Sequence, residues 1–139
     1  INTDYKIFMS MMAERMKLIL NERIHPDQNG FLPMRQIRNN ARMIIDILEY
    51  YETHPGSQVA LVFLDAQKAF DNLNWEFMKY QINLMKFGDN FTQMIKSIYS
   101  NQKARVMING EFTNPFEIKK GVRQGCPLSP LLFITILET

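Results

Sequence analysis

Six apolar residues in a row, Val59–Leu64 (VALVFL), run straight into a carboxylate at Asp65. A short unbroken apolar run after a turn-rich stretch, here His54–Gln58 (HPGSQ), predicts a strand covered on both faces. Such a strand needs protein on either side of it, so the rest of the chain must fold around it. Asp65 then falls where the strand leaves the core. Burying an ionised carboxylate is costly unless a partner neutralises it. At a sheet rim the group can instead stay in water and hold a divalent cation, which prefers hard oxygen ligands. The backbone carbonyl of Ala66 offers a second oxygen. Asp65 reads equally well as the N-cap of a helix starting at Ala66. Asp71 lies too far round a helix to share one ion with it easily.

The 139 residues suffice for one domain, and 46% hydrophobic against 22% charged argues for a globular chain rather than a disordered one. A net charge of +2 leaves a nucleic-acid partner open, to be decided by local clusters. Cys126 is the one cysteine, which excludes an internal disulfide and a Cys/His zinc cluster and suits a reducing, intracellular setting. No apolar run reaches the ~18 residues of a membrane span, and no signal-peptide pattern opens the chain. It begins at Ile1 and stops within the apolar run LLFITILET, so both ends read as cut from a larger domain.

Tyr5, Phe8, Met12, Met16 and Ile19 recur at helical spacing and predict a helix from Thr3, as N-cap, to about Leu20. His25–Pro33 reads as loop. Ile37, Ala41, Ile44, Leu48 and Tyr51 form the clearest apolar stripe and predict a helix from about Met34 to Thr53. Phe77, Tyr80 and Leu84 predict a third helix ending by Gly88, with Trp75 packing at its start; Phe91, Ile95 and Ile98 predict a fourth. Asn109-Gly110, flanked by alternating apolar residues, signals a hairpin with a type I′ turn. Ser129-Pro130 predicts a helix start with Ser129 as N-cap. Helices and strands in mixed order with one hairpin indicate an α+β fold. The methionines, Met9, Met11 and Met12 among them, read as flexible core filling, Cys126 as a small buried hydrophobe, and His25 and His54 as surface residues.

Two further stretches bear on chemistry. In GVRQGCPLSP (Gly121–Pro130), Arg123 and Gln124 stand between glycines that let backbone approach a ligand closely. Arg suits phosphate, and Gln suits a sugar or base edge. A capped turn before a core helix is the plainer reading of the same residues. Arg35, Arg38 and Arg42 fall on one side of the second helix. Lys96, Lys103, Arg105, Lys119, Lys120 and Arg123 outnumber Glu111 and Glu117 around the hairpin, which suits a phosphate backbone. A solvated surface explains any one of these clusters as readily.

NTDYKIF, DQNGF, VFLDAQKAFDN and INGEFTNPFEIKKGVRQGCPLSPLLF, in that order and across nearly the whole chain, resemble the reverse transcriptase domain of non-LTR (LINE-type) retrotransposons. The resemblance implies a right-hand polymerase fold. Fingers would span about 1–58 and 88–120, and an incomplete palm about 59–87 and 121–139. It implies RNA-directed DNA polymerisation by nucleotidyl transfer, with two Mg²⁺ ions (or Mn²⁺), on an RNA template and DNA primer with dNTPs, in the nucleus or cytoplasm. Asp65 would be the first catalytic aspartate and bind metal together with the Ala66 carbonyl. Phe70 would exclude a ribose 2′-hydroxyl, and Arg123, Gln124 and Gly125 would contact the incoming nucleotide. Arg35 and Arg38 would reach its triphosphate. Lys103, Arg105, Lys119 and Lys120 would follow nucleic acid. The chain departs from the family in two places. Met34 stands where the family usually has Gly, and no two Asp residues are adjacent anywhere, so the family's Asp-Asp element is missing. A single carboxylate cannot hold two ions. The chain alone is therefore expected not to polymerise DNA, and the other reading is a non-catalytic nucleic-acid-binding remnant of a mobile element. The sequence carries no information on oligomeric state.

Overall fold

The computed structural model describes residues 3–138, so Ile1, Asn2 and Thr139 lie outside the described residues. Among the described residues, five helices and four two-residue strands follow in the order α1 (Thr3–Arg23), α2 (Arg38–Thr53), α3 (Trp75–Leu84), α4 (Asp89–Ile98), β1 (Lys103–Ala104), β2 (Met107–Ile108), β3 (Glu111–Phe112), β4 (Phe116–Glu117) and α5 (Ser129–Leu137). This is a mixed helix and small-sheet architecture, as the element order implied.

The core is helical. α5 is apolar nearly all round, so burial is its only stable circumstance. It inserts Leu131, Leu132 and Ile134 between α1 and α3, and α4 closes against the far side of α3. α1 presents Met9, Met12, Met16 and Leu20 to this core, which confirms Met9 and Met12 as core filling but leaves Met11 exposed. Each of these fully buried side chains contributes about 1.5–3 kcal/mol of transfer free energy. α3 starts at Asn74, whose Oδ1 accepts from Phe77 N, and buries Trp75, Met78, Gln81 and Ile82. The stripe read from the sequence, Phe77–Tyr80–Leu84, faces solvent instead. WEFMKYQINL carries two apolar stripes at helical spacing, and tertiary packing selects the one that includes Trp75.

Two further expectations are corrected. Val59–Leu64 does not form a buried strand: the segment has no regular secondary structure and no ladder partner among the described residues, and it leaves Val62, Phe63 and Leu64 at 78%, 77% and 92% exposure. A strand exists only by pairing its backbone with a neighbour. The stripe on α2 likewise packs against no other helix or strand of the described residues, and no α2 residue is buried. α2 also begins four residues later than expected. Met34 adopts φ 64°, a left-handed conformation that an α-helix cannot include, and Ile37 becomes the N-cap.

The hairpin forms as read. Asn109 and Gly110 take φ 51° and 88°, the signs a type I′ turn requires, and pair Ile108 with Glu111 and Met107 with Phe112. Farther down, Lys103 pairs with Glu117 and Ala104 with Phe116.

Candidate functional site

Residues 121–130 form a loop pinned to the turn at Phe70–Leu73. Gly121 N donates to Leu73 O (2.8 Å), Val122 N donates to Phe70 O (2.8 Å), and Trp75 Nε1 donates to Gly121 O (2.7 Å). Lys120 Nζ adds a bond to Asn72 Oδ1 (2.9 Å). The approach at Gly121 is so close that a Cβ there would stand 2.9 Å from Asp71 O, and φ is 87°. Only glycine fits without rearrangement. The loop also closes on itself. Arg123 O accepts from Cys126 N (3.3 Å) and from Ser129 Oγ (2.8 Å). Ser129 therefore spends its hydroxyl as a donor to the loop, and Leu128 rather than Ser129 is the N-cap of α5.

Between the loop and the turn lies a cavity of about 600 Å³, lined by Phe70, Arg123, Gln124, Gly125, Cys126, Pro127, Ser129 and Pro130. That volume falls within the range of small-molecule sites. The Phe70 ring leans on Phe133 of α5 (centroids 5.4 Å apart), so it forms a fixed wall. Gly125 has φ 75° and exposes its backbone. Arg123 and Gln124 are exposed, and neither side chain has a hydrogen bond or ion pair among the described residues. The Arg123 guanidinium lies over the Tyr5 ring of α1, 5.0 Å from its centroid. Partial burial, followed by the neighbouring Cys126, raises the Tyr5 hydroxyl above its usual 10.0, and Arg123 opposes the rise. Tyr99, at the end of α4, packs its ring on Trp75 (5.6 Å) and is 1% exposed. Its hydroxyl has no hydrogen-bond partner among the described residues, and burial drives its pKa well above the ordinary tyrosine range.

The structure brings together four of the sequence-derived site residues: Phe70, Arg123, Gln124 and Gly125. The others stand elsewhere. Asp65 and Ala66 lie exposed at the end of the irregular 58–66 segment, and Asp65 has no partner among the described residues. They offer three hard oxygens, two from the carboxylate and one from the carbonyl. No group of three His, Cys, Asp or Glu able to hold a metal gathers among the described residues. That set falls short of the six or so oxygens a hard cation needs, so the described residues do not by themselves make the metal centre that the resemblance implies.

Arg35 is spent. Its guanidinium donates to Asn21 Oδ1 (3.1 Å) and to the carbonyls of Asn21 (2.8 Å), Ile24 (2.8 Å), His25 (2.5 Å) and Gln28 (2.9 Å). It clasps the chain where α1 ends and satisfies carbonyls that a helix terminus leaves open. Arg38 stands exposed at the start of α2. Lys103, Arg105, Lys119 and Lys120 are all exposed around the hairpin base, with Lys119 4.0 Å from Glu117. Reading the sequence alone missed Tyr5, Tyr99 and Phe133 as neighbours of the loop, because contacts across so many intervening residues leave no local pattern. Trp75 packs at the start of α3 as the sequence indicates, whereas Ser129 stands at the start of α5 but donates its hydroxyl to Arg123 O instead of capping the helix.

A family model described as reverse transcriptase (RNA-dependent DNA polymerase) matches residues 1–139. Among curated proteins, the chain is 36% identical over 138 residues to the transposon TX1 uncharacterized 149 kDa protein of Xenopus laevis, covering 99% of this chain and 10% of that protein. It is 27% identical over 135 residues to the retrovirus-related Pol polyprotein from type-2 retrotransposable element R2DM of Drosophila melanogaster, covering 93% of this chain and 13% of the relative. A Pol polyprotein from the type-1 element R2 of Popillia japonica is 31% identical over 97 residues, covering 68% of this chain and 16% of the relative. The chain thus spans a small part of the length of these relatives.

Proposed function

The chain belongs to the reverse transcriptase (RNA-dependent DNA polymerase) family, in its non-LTR retrotransposon branch, and from that membership we propose that the cavity between Phe70 and Arg123–Gly125 receives the incoming dNTP. The observation that carries this reading is the pairing of a fixed aromatic wall with an unneutralised guanidinium across one cavity. Arg123 has all its in-plane N–H donors free for triphosphate oxygens. Gln124 offers both a donor and an acceptor to a base or sugar edge. Phe70 cannot retreat, because Phe133 stands behind it, so a 2′-hydroxyl pressed against it would clash.

The polymerase chemistry belongs to the same proposal. The divalent ions on which the family generally depends would supply activation of the primer 3′-hydroxyl and neutralisation of the triphosphate. In this proposal Asp65 and the Ala66 carbonyl contribute two of their ligands. The remainder would come from carboxylates that this sequence does not contain as an adjacent pair. The 139-residue chain alone is therefore proposed not to polymerise DNA, and template-directed dNTP incorporation by it would contradict this. The family assignment suggests fingers at about 1–58 and 88–120 and palm at about 59–87 and 121–139. RNA template and DNA primer would run along Lys103, Arg105, Lys119 and Lys120. No helix of the described residues is long and apolar enough to cross a membrane.

Calorimetric titration of the purified chain with dCTP and with CTP, in Mg²⁺, tests the reading. dCTP should bind more tightly than CTP, and Phe70→Ala should erase the difference while retaining binding. Equal affinities in the unaltered chain, or discrimination that survives Phe70→Ala, would contradict it. The exposed Lys103, Arg105, Lys119 and Lys120 around the hairpin base support a second reading, a nucleic-acid-binding role without catalysis. On that reading, primer–template binding would be salt-sensitive and indifferent both to Mg²⁺ and to Asp65→Asn.

A further inference from the structure

We propose that Tyr5 is a positioning residue for Arg123: its ring, carried on α1, holds the guanidinium where an incoming triphosphate meets it. The inference rests on the nucleotide reading above and adds a residue to it. An exposed arginine ordinarily samples many rotamers, and ordering it on ligand binding costs affinity. Arg123 has no carboxylate or carbonyl partner among the described residues to prevent this. The Tyr5 ring, 5.0 Å from the guanidinium carbon, is the contact that restrains it. A ring contact suits the task, because it attracts the cation through the π face and consumes no N–H donor. Arg35 shows the opposite case: with its donors committed to five acceptors, it has nothing to offer a ligand.

The ring is itself fixed. Tyr5 sits one turn before Met9, the first fully buried residue of α1, and packs against the core. α1 packs on α5, and α5 begins where the Arg123 loop ends. Ring and loop are therefore anchored to one rigid body, and the contact bridges the N-terminal helix to the cavity.

The experiment measures dCTP affinity, in Mg²⁺, of the unaltered chain and of Tyr5→Phe, Tyr5→Leu, Arg123→Ala and the Tyr5→Leu/Arg123→Ala pair, with thermal melts alongside. Tyr5→Phe keeps the ring and should bind within about twofold of the unaltered chain. Tyr5→Leu should bind about 3- to 30-fold more weakly, the span a cation–π contact covers from exposed to desolvated sites. It should cost nothing further once Arg123 is alanine. Fluorinated phenylalanines at position 5 keep the shape while draining the ring face, so they guard against a leucine variant that fails to fold. Affinity should fall stepwise with fluorination. Affinity that ignores fluorination, or a leucine penalty equal with and without Arg123, overturns the positioning role. An unaltered chain that does not bind dCTP, or an Arg123→Ala chain that binds as well, overturns the nucleotide reading itself.

Discussion

α2 and α3 are both amphipathic, and the stripe on α2 is the more regular of the two. α3 buries Trp75, Met78, Gln81 and Ile82, while α2 buries nothing. The contrast extends across the molecule. α1, α3, α4, α5 and the 121–130 loop share one core, whereas α2, the irregular segment at 58–66 and the outer hairpin expose their apolar residues. An apolar pattern records a capacity to be buried, and burial needs a partner that the pattern does not name. The difference also divides the candidate site. Phe70 and Arg123–Gly125 belong to the packed region and are held in place by hydrogen bonds and ring contacts. Asp65 belongs to the open region, and its side chain has no partner among the described residues.

Substitutions matched across the two regions should show this contrast in stability. Leu132→Ala, which empties a fully buried position, should cost about 2–5 kcal/mol in denaturant unfolding. Phe63→Ala, at 77% exposure, should stay within about 0.5 kcal/mol. Similar losses at the two sites would break the division. Next in size is Gly121→Ala. It combines a left-handed residue, about 1–2 kcal/mol, with overlap against Asp71 O, so a loss of about 2–4 kcal/mol is expected. Gly56→Ala meets nothing within 4 Å and should be neutral or stabilising by about 0.4–1 kcal/mol.

Tyr99→Phe removes a buried hydroxyl that has no hydrogen-bond partner among the described residues, so it should be neutral or stabilise by about 1 kcal/mol, against the usual direction for a core substitution. It has a pH signature as well. The folded-state pKa values of Tyr5 and Tyr99 lie above 10.0. The unfolded chain therefore loses those protons first. The stability these groups sustain is whole below pH 10 and declines as pH rises beyond it. Tyr99→Phe should flatten that alkaline decline, and an unchanged slope would show that the hydroxyl ionises freely when folded. A small gain is expected at Met34→Gly. Relief of a left-handed methionine, about 1–2 kcal/mol, is offset by about 0.4–1 kcal/mol of added chain entropy, leaving a gain of about 0–1.6 kcal/mol in unfolding free energy.

What could be read from the sequence was what depends on neighbours in the chain. Asn109-Gly110 specified its hairpin because both residues tolerate positive φ. Ser129-Pro130 marked the α5 start to within one residue. The motif order identified the family before any contact was known. The face of α1 is legible apart from Phe8, whereas that of α3 is not, because Phe77 and Tyr80 repeat as regularly as the residues that actually bury. Arg35 was assigned to a triphosphate because charge is visible in a sequence, whereas the carbonyls that consume it belong to backbone and carry no letter. The Tyr5–Arg123 contact was invisible for the same reason that any tertiary contact is: nothing local requires it.

The central claim is that the nucleotide site lies in the packed region, between Phe70 and the Arg123 loop. Photo-crosslinking of 5-azido-dUTP to the purified chain in Mg²⁺, followed by peptide mapping, tests it most directly. The account predicts label on peptides containing Phe70 or residues 121–130, suppressed by excess dTTP and weakened by Arg123→Ala. Competable label confined to α2 or to the outer hairpin would contradict it.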